Sequence, residues 1–120
     1  MANPNIASAT TIKGQSVNGD ITTSPTVVLT NSGSSGKVFK INTMVITNID
    51  GSSTANFTAS VSISGGTAYN LFSTVDVAAD TATVAIDKNS TFYLLEGGTI
   101  SLVASGNSDL TYMISYEEIS

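Results

Sequence analysis

Ser34 and Lys37 have the spacing that most resembles a catalytic motif in this chain. In serine acyl enzymes a Ser-x-x-Lys sequence opens a helix, and the helical turn places the lysine amine beside the serine hydroxyl. Here the pair lies in the Gly- and Ser-rich residues 31–37, directly before a predicted strand. The same residues lack the first glycine of a phosphate-binding loop, and Val38 stands where a magnesium-binding Ser or Thr is needed. We therefore predict a surface loop.

Carboxylates are the second set of candidate residues. Glu117 and Glu118 are adjacent in a predicted strand, so their side chains point to opposite faces of a sheet. They cannot act together as the acid and base of a glycosidase. We expect them to be solvated charges or charges on an edge strand, where they discourage unwanted strand pairing. A subunit contact is the alternative.

Other polar and aromatic residues could support a binding site. Asp76, Asp80 and Asp87 could give oxygen ligands to Ca²⁺, but they lack the regular spacing of a calcium-binding loop. Asn56 and Asn89 begin glycosylation sequons, which we interpret as chance because no signal peptide precedes them. A sugar-stacking platform is conceivable from the aromatic residues Tyr69, Phe72, Tyr93, Tyr112 and Tyr116. Since Tyr112 and Tyr116 share a strand face with apolar residues, core packing is the better interpretation.

The composition excludes several classes of function. The chain has no His and no Cys, and its four basic residues are all lysines, so the commonest general base, thiolate ligands and arginine clamps are missing. The formal net charge of −5 would repel a nucleic-acid backbone. No apolar run approaches the length of a membrane-spanning helix. We expect no enzymatic activity, no catalytic, cofactor-binding or metal site, no cofactor, and neither nucleic acid nor membrane as a partner.

The hydrophobic pattern predicts an all-β chain. Residues 56–64 alternate apolar and polar side chains with a period of two. Residues 37–49 give the longest strand signal, and apolar residues on both of its faces from Met44 onward indicate either a central strand or a bulge that swaps faces. Turn signals recur every 8 to 12 residues. This pattern predicts a single antiparallel β-sandwich of about eight strands, jelly-roll-like or immunoglobulin-like. Residues 1–24 are predicted to be an N-terminal arm and loop, and residues 25–120 the sandwich domain. The loop is predicted for residues 14–20, which end in the turn signal Asn18-Gly19-Asp20.

Residues 91–120 read as strand, turn, strand, turn, strand, and they carry most of a family resemblance. Residues 86–98, 104–110 and 114–119, together with the earlier residues 29–31, 34–42 and 48–51, resemble small virion structural proteins of marine tailed phages. The resemblance is to the proteins of the T4-like cyanophage type. We expect the C-terminal residues 117–120 to be ordered, near a sheet edge or a subunit contact.

The resemblance implies a non-enzymatic virion component that is assembled in the host cytoplasm. A capsid decoration (cement) protein on the outer surface of the head fits a compact sandwich with an arm. Its partners would be the major capsid protein or other virion subunits. The protein itself would form a homo-oligomer, with a trimer favoured. An accessory subunit of the neck, tail or fibres is the nearest alternative, and a carbohydrate-binding host-adhesion module is a further one.

Overall fold

The computed structural model describes residues 6–120 and shows nine β-strands in two antiparallel sheets within them. A short 3-10 turn at Ile6–Ser8 comes first. The strands are β1 (Ile12–Ile21), β2 (Thr26–Thr30), β3 (Val38–Asn48), β4 (Ala55–Ser62), β5 (Tyr69–Val77), β6 (Ala82–Ile86), β7 (Phe92–Leu94), β8 (Thr99–Ala104) and β9 (Leu110–Ile119). None of these residues belongs to a helix long and apolar enough to cross a membrane.

The order of the strands is that of a jelly roll. The five-stranded sheet has the order β1-β9-β3-β6, with β7 also paired to β3, and the four-stranded sheet has the order β2-β8-β4-β5. Because β6 and β7 pair with different parts of β3, they act as one strand interrupted at residues 87–91. Counted in this way, eight strands form the sandwich. An immunoglobulin-like fold keeps its first two strands in one sheet, whereas β1 and β2 lie in different sheets here. The predicted all-β sandwich is confirmed.

The core lies between the two sheets, where the apolar side chains that alternate with polar ones along β3 and β4 are buried. Phe57, Ala59 and Val61 of β4 are buried, which confirms the predicted inward face for these residues. The prediction is wrong where the strand ends, because Ile63, predicted to point inward, is exposed and Ser62, predicted to point outward, is buried. In β3 the register with β9 shifts between Ile41 and Thr43, so that Met44 and Ile46 return to the core after one extra residue. This shift is the predicted bulge that swaps faces.

The loop predicted for residues 14–20 is wrong, because these residues belong to β1. Ten residues of β1 pair without a break with β9, from Ile12 opposite Ile119 to Ile21 opposite Leu110. Gly19, part of the apparent Asn-Gly-Asp turn signal, instead leaves room for a ring: a Cβ atom there would lie 3.1 Å from the Tyr112 hydroxyl oxygen. The segment predicted as arm and loop thus contributes an edge strand to the sandwich. Residues 1–5 of that arm lie outside the described residues.

The C-terminal residues are ordered as predicted, but they do not lie at an edge. β9 continues to Ile119, and the carbonyl of Ser120 accepts hydrogen bonds from the N–H groups of Thr10 and Thr11. β9 pairs with β1 on one side and with β3 on the other, so Glu117 and Glu118 stand in an internal strand. The prediction of an edge position is wrong because β1, which was predicted as a loop, covers that side.

Two buried asparagines hold the connections at opposite ends of the sandwich. The amide nitrogen of Asn31 donates to the carbonyls of Lys37 and Leu94, at 2.9 and 3.0 Å. The amide nitrogen of Asn48 donates to the carbonyls of Ser53 and Val77, both at 2.9 Å. Each side chain therefore satisfies backbone groups that a buried loop would otherwise leave unpaired.

Candidate interaction surface

An apolar groove opens between the two sheets along the side formed by β5, β6 and β7. Its cavity has a volume of about 250 Å³. The lining side chains are apolar except for one serine: Val61, Ile63, Leu71, Phe72, Ile86, Ser90 and Phe92. The strands on both sides of the opening are irregular, because β6 and β7 are interrupted and β5 shifts register twice against β4. A groove of this size accommodates apolar side chains of a partner.

A bulge in β5 brings two successive side chains to the groove. Ala59 pairs with Phe72 and Ser60 pairs with Asn70, so Leu71 is an extra residue in the ladder. Simple alternation would send Leu71 and Phe72 to opposite faces of the sheet, but both of them line the cavity. Bulges commonly re-aim side chains in this way beside functional sites. The second register shift of β5 lies at residues 73–74, where Thr74 has a φ of 47°.

The rim of the groove exposes apolar surface. Ile63 is 44% exposed and Leu71 is 46% exposed, and the ring of Tyr69 at the start of β5 is 73% exposed. Val61, next to them in the lining, is buried. Apolar side chains gathered around an opening, as opposed to scattered singly, are typical of a surface that another protein covers. We call Ile63, Tyr69 and Leu71 with the cavity lining the apolar groove.

The charges are distributed unequally along the sandwich. Strands β1, β3 and β5 end at the same end of the sandwich, where β4, β6 and β9 begin. Five carboxylates and no lysine lie at this acidic end: Asp20, Asp50, Asp76, Asp80 and Asp109. The four other carboxylates equal the four lysines in number. The whole formal net charge of −5 therefore resides at the acidic end.

Backbone contacts join the loops of the acidic end. The Ile49 N–H donates to the Asp109 carbonyl at 2.8 Å, and the Asp80 N–H donates to the Asp50 carbonyl at 3.2 Å. Hydrogen bonds from Ser52 hold the pKa of the Asp50 carboxyl below its ordinary value. Asp87 lies in the interruption between β6 and β7, away from Asp76 and Asp80, and no group of three acidic side chains among residues 6–120 is placed to hold a metal ion.

Residues in and around the apparent Ser-x-x-Lys motif stabilise the loop that contains them. The Lys37 ammonium group lies 3.0 Å from the Glu118 carboxylate, with which it forms an ion pair. The hydroxyl of Ser35 donates to the Asn31 side chain and accepts from the Lys37 N–H. The structure thus places Lys37 in an ion pair with one of the two adjacent glutamates, as part of a hydrogen-bonded loop.

The five aromatic residues considered for a sugar-stacking platform lie on the three strands β5, β7 and β9. Tyr116 is buried against Phe39, with ring centroids 4.9 Å apart, and burial raises the pKa of its phenol, with a further rise from the Glu118 charge. Tyr112 packs across Gly19. The two exposed tyrosines, Tyr69 on β5 and Tyr93 on β7, belong to different sheets.

Comparison with known proteins bears on the fold. No protein-family model matches this sequence, and no curated protein matches it. A solved chain of the Bacillus endospore appendages, which form a novel family of disulfide-linked pili, has a similar structure with a TM-score of 0.53. It is 10% identical, and the match covers 100% of this chain and 96% of that chain. At this identity the likeness shows that the two chains share the sandwich fold.

Proposed function

We propose that this protein is a structural subunit of a bacteriophage virion that decorates the outer surface of the head as a cement protein. The observation that carries the proposal is the apolar groove, since exposed apolar side chains around a preformed opening suit a protein that is docked on a partner. The partner is the major capsid protein, and the site of action is the virion after assembly in the host cytoplasm. The resemblance of residues 86–98, 104–110 and 114–119 to phage virion proteins supports the choice of a phage particle as the assembly.

The similar fold of the endospore appendage chain supports a role as a building block of a larger assembly. That protein is linked by disulfides, whereas this chain has no Cys. An assembly of this protein therefore depends on packing and hydrogen bonds. The low proportion of charged residues, 11%, suits a subunit that is held against a partner.

Replacement of Leu71 by Ser is expected to weaken binding to assembled heads by about tenfold or more. Burial of a leucine side chain stabilises an interface by roughly 1.5–3 kcal/mol, and about 1.4 kcal/mol corresponds to a factor of ten in affinity. The purified protein is added to heads that lack it, and the bound fraction is measured by co-sedimentation. Unassembled capsid protein, which lacks the lattice, should bind neither form.

Val84→Ser is the matched control for this variant. Val84 is 61% exposed on β6, outside the groove lining, so its replacement removes similar apolar surface from a different site. We expect the Val84→Ser protein to bind heads as the unaltered protein does. Equal binding by the Leu71→Ser and Val84→Ser proteins would contradict docking through the apolar groove.

A further inference from the structure

β1 presents a long and regular strand edge. Its ten residues pair with β9 on one side without any register shift, and no other strand of residues 6–120 pairs with its opposite side. An uncovered edge of this kind displays a row of unpaired backbone N–H and C=O groups, which can pair with another chain.

The hydrogen bonds at the start of the β1–β9 ladder show which residues of β1 direct their backbone groups away from β9. Thr11 and Ser120 exchange two hydrogen bonds, of 3.0 and 2.9 Å, so the N–H and C=O groups of Thr11 point towards β9. The direction alternates along an antiparallel strand. The odd-numbered residues of β1 therefore bond to β9, and the even-numbered ones direct their backbone groups to the open side: Ile12, Gly14, Ser16, Asn18 and Asp20.

The other edges of the sandwich carry features that hinder pairing. β2 follows Pro25 and shifts register against β8 between Val27 and Leu29. β5 shifts register twice and contains Thr74 with its positive φ. The opposite edge of the five-stranded sheet is interrupted between β6 and β7. Bulges, breaks and prolines are the common means by which proteins protect their edges, and β1 has none of them.

The charge distribution favours one orientation for a second copy. Each copy carries its net charge of −5 at the acidic end, so two copies side by side repel each other least when they run antiparallel. The charged residues of β1 also favour an antiparallel orientation, because Lys13 lies near one end of the strand and Asp20 near the other. In an antiparallel pair, the strand end with Lys13 lies beside the strand end with Asp20 of the other copy, although the two side chains point to opposite faces of the sheet.

We propose that β1 is a self-association site, at which two copies of this chain pair antiparallel about a twofold axis at Ser16. This register uses every outward-facing residue of β1: Ser16 faces Ser16, Gly14 faces Asn18, and Ile12 faces Asp20 of the second copy. The two five-stranded sheets then become one continuous sheet. The interface is isologous and closes as a dimer, in place of the trimer that the phage resemblance implies. It does not depend on the virion role or on the apolar groove.

A single introduced cysteine tests this register. The chain has no Cys, so Ser16→Cys provides one thiol, which the twofold axis places opposite its copy at about 5.5 Å between Cα atoms. We expect mild oxidation to give a covalent dimer on a non-reducing gel. Ser73→Cys, at an exposed position of the irregular edge strand β5, is the control and should stay monomeric. Dimer formation at equal rates by the two variants would overturn the proposal.

A charge exchange gives an independent readout in solution. Ile12→Glu places a carboxylate directly opposite Asp20 of the second copy, on the same face of the sheet, so it should shift the monomer–dimer equilibrium measured by sedimentation towards monomer by several-fold at low salt. The double variant Ile12→Glu with Asp20→Lys places opposite charges at these positions and should restore the dimer. A monomeric unaltered protein, a trimer, or a double variant no better than Ile12→Glu would each overturn the proposal.

Discussion

Replacement of Phe57 by Ala is expected to lower the free energy of unfolding by about 3–5 kcal/mol. Phe57 is fully buried on β4, which pairs with both β5 and β8, and its ring packs against Phe72 with centroids 6.0 Å apart. Truncation removes a large apolar side chain and leaves a cavity that strands fixed on both sides cannot fill. The midpoint of thermal unfolding should fall by roughly 10–20 °C for a domain of this size.

Phe92→Ala is the control for this prediction. Phe92 is only partly buried, because it lines the open groove, so solvent already reaches part of the space that truncation would vacate. Urea unfolding of both variants, followed by circular dichroism, should show a clearly smaller loss for Phe92→Ala. Equal losses would mean that the space between the sheets is not packed as the structure describes it.

Replacement of Asn48 by Ala is expected to cost about 2–4 kcal/mol, since each buried polar group left unpaired costs about 1–3 kcal/mol. The side chain donates to the carbonyls of Ser53 and Val77 and accepts the N–H of Asp50 at 2.9 Å. It thereby joins the β3–β4 connection to the end of β5. Removal should also loosen the loops of the acidic end, which native-state hydrogen exchange would detect as faster exchange of the Asp50 and Asp80 amides.

Asn70→Ala separates the loss of these bonds from a general effect of asparagine removal. Asn70 is exposed on β5, and a substitution at such a position usually changes stability by less than about 0.5 kcal/mol. Urea unfolding of the two variants under the same conditions measures the difference. If Asn48→Ala were no less stable than Asn70→Ala, the buried amide would not hold the connection together.

The sequence predicted those parts of the fold that depend on local periodicity. The alternation of β4 was sufficient to identify its buried face, and the change of apolar face within β3 indicated a bulge, because both signals lie within about ten neighbouring residues. β1 was missed because its small polar residues and its Asn-Gly-Asp sequence resemble a turn. Only the ladder with β9, about a hundred residues away, makes them a strand.

The candidate interaction surface could not be predicted for a similar reason. By alternation, Leu71 shares an inward face with Tyr69 and Val75, and the bulge that brings it to the groove beside Phe72 depends on the register between β4 and β5. The acidic end likewise joins aspartates that are far apart in sequence. Their common position follows from the direction of each strand, which becomes known only with the topology.

Locating the protein in a cryo-electron density map of the intact particle tests the virion role most directly. We expect a sandwich-shaped density on the outer surface of the head, with the apolar groove formed by Ile63, Leu71 and their neighbours turned towards the major capsid protein. Density for this chain in the neck, tail or fibres would contradict the decoration role. Its absence from the particle would contradict a virion role altogether.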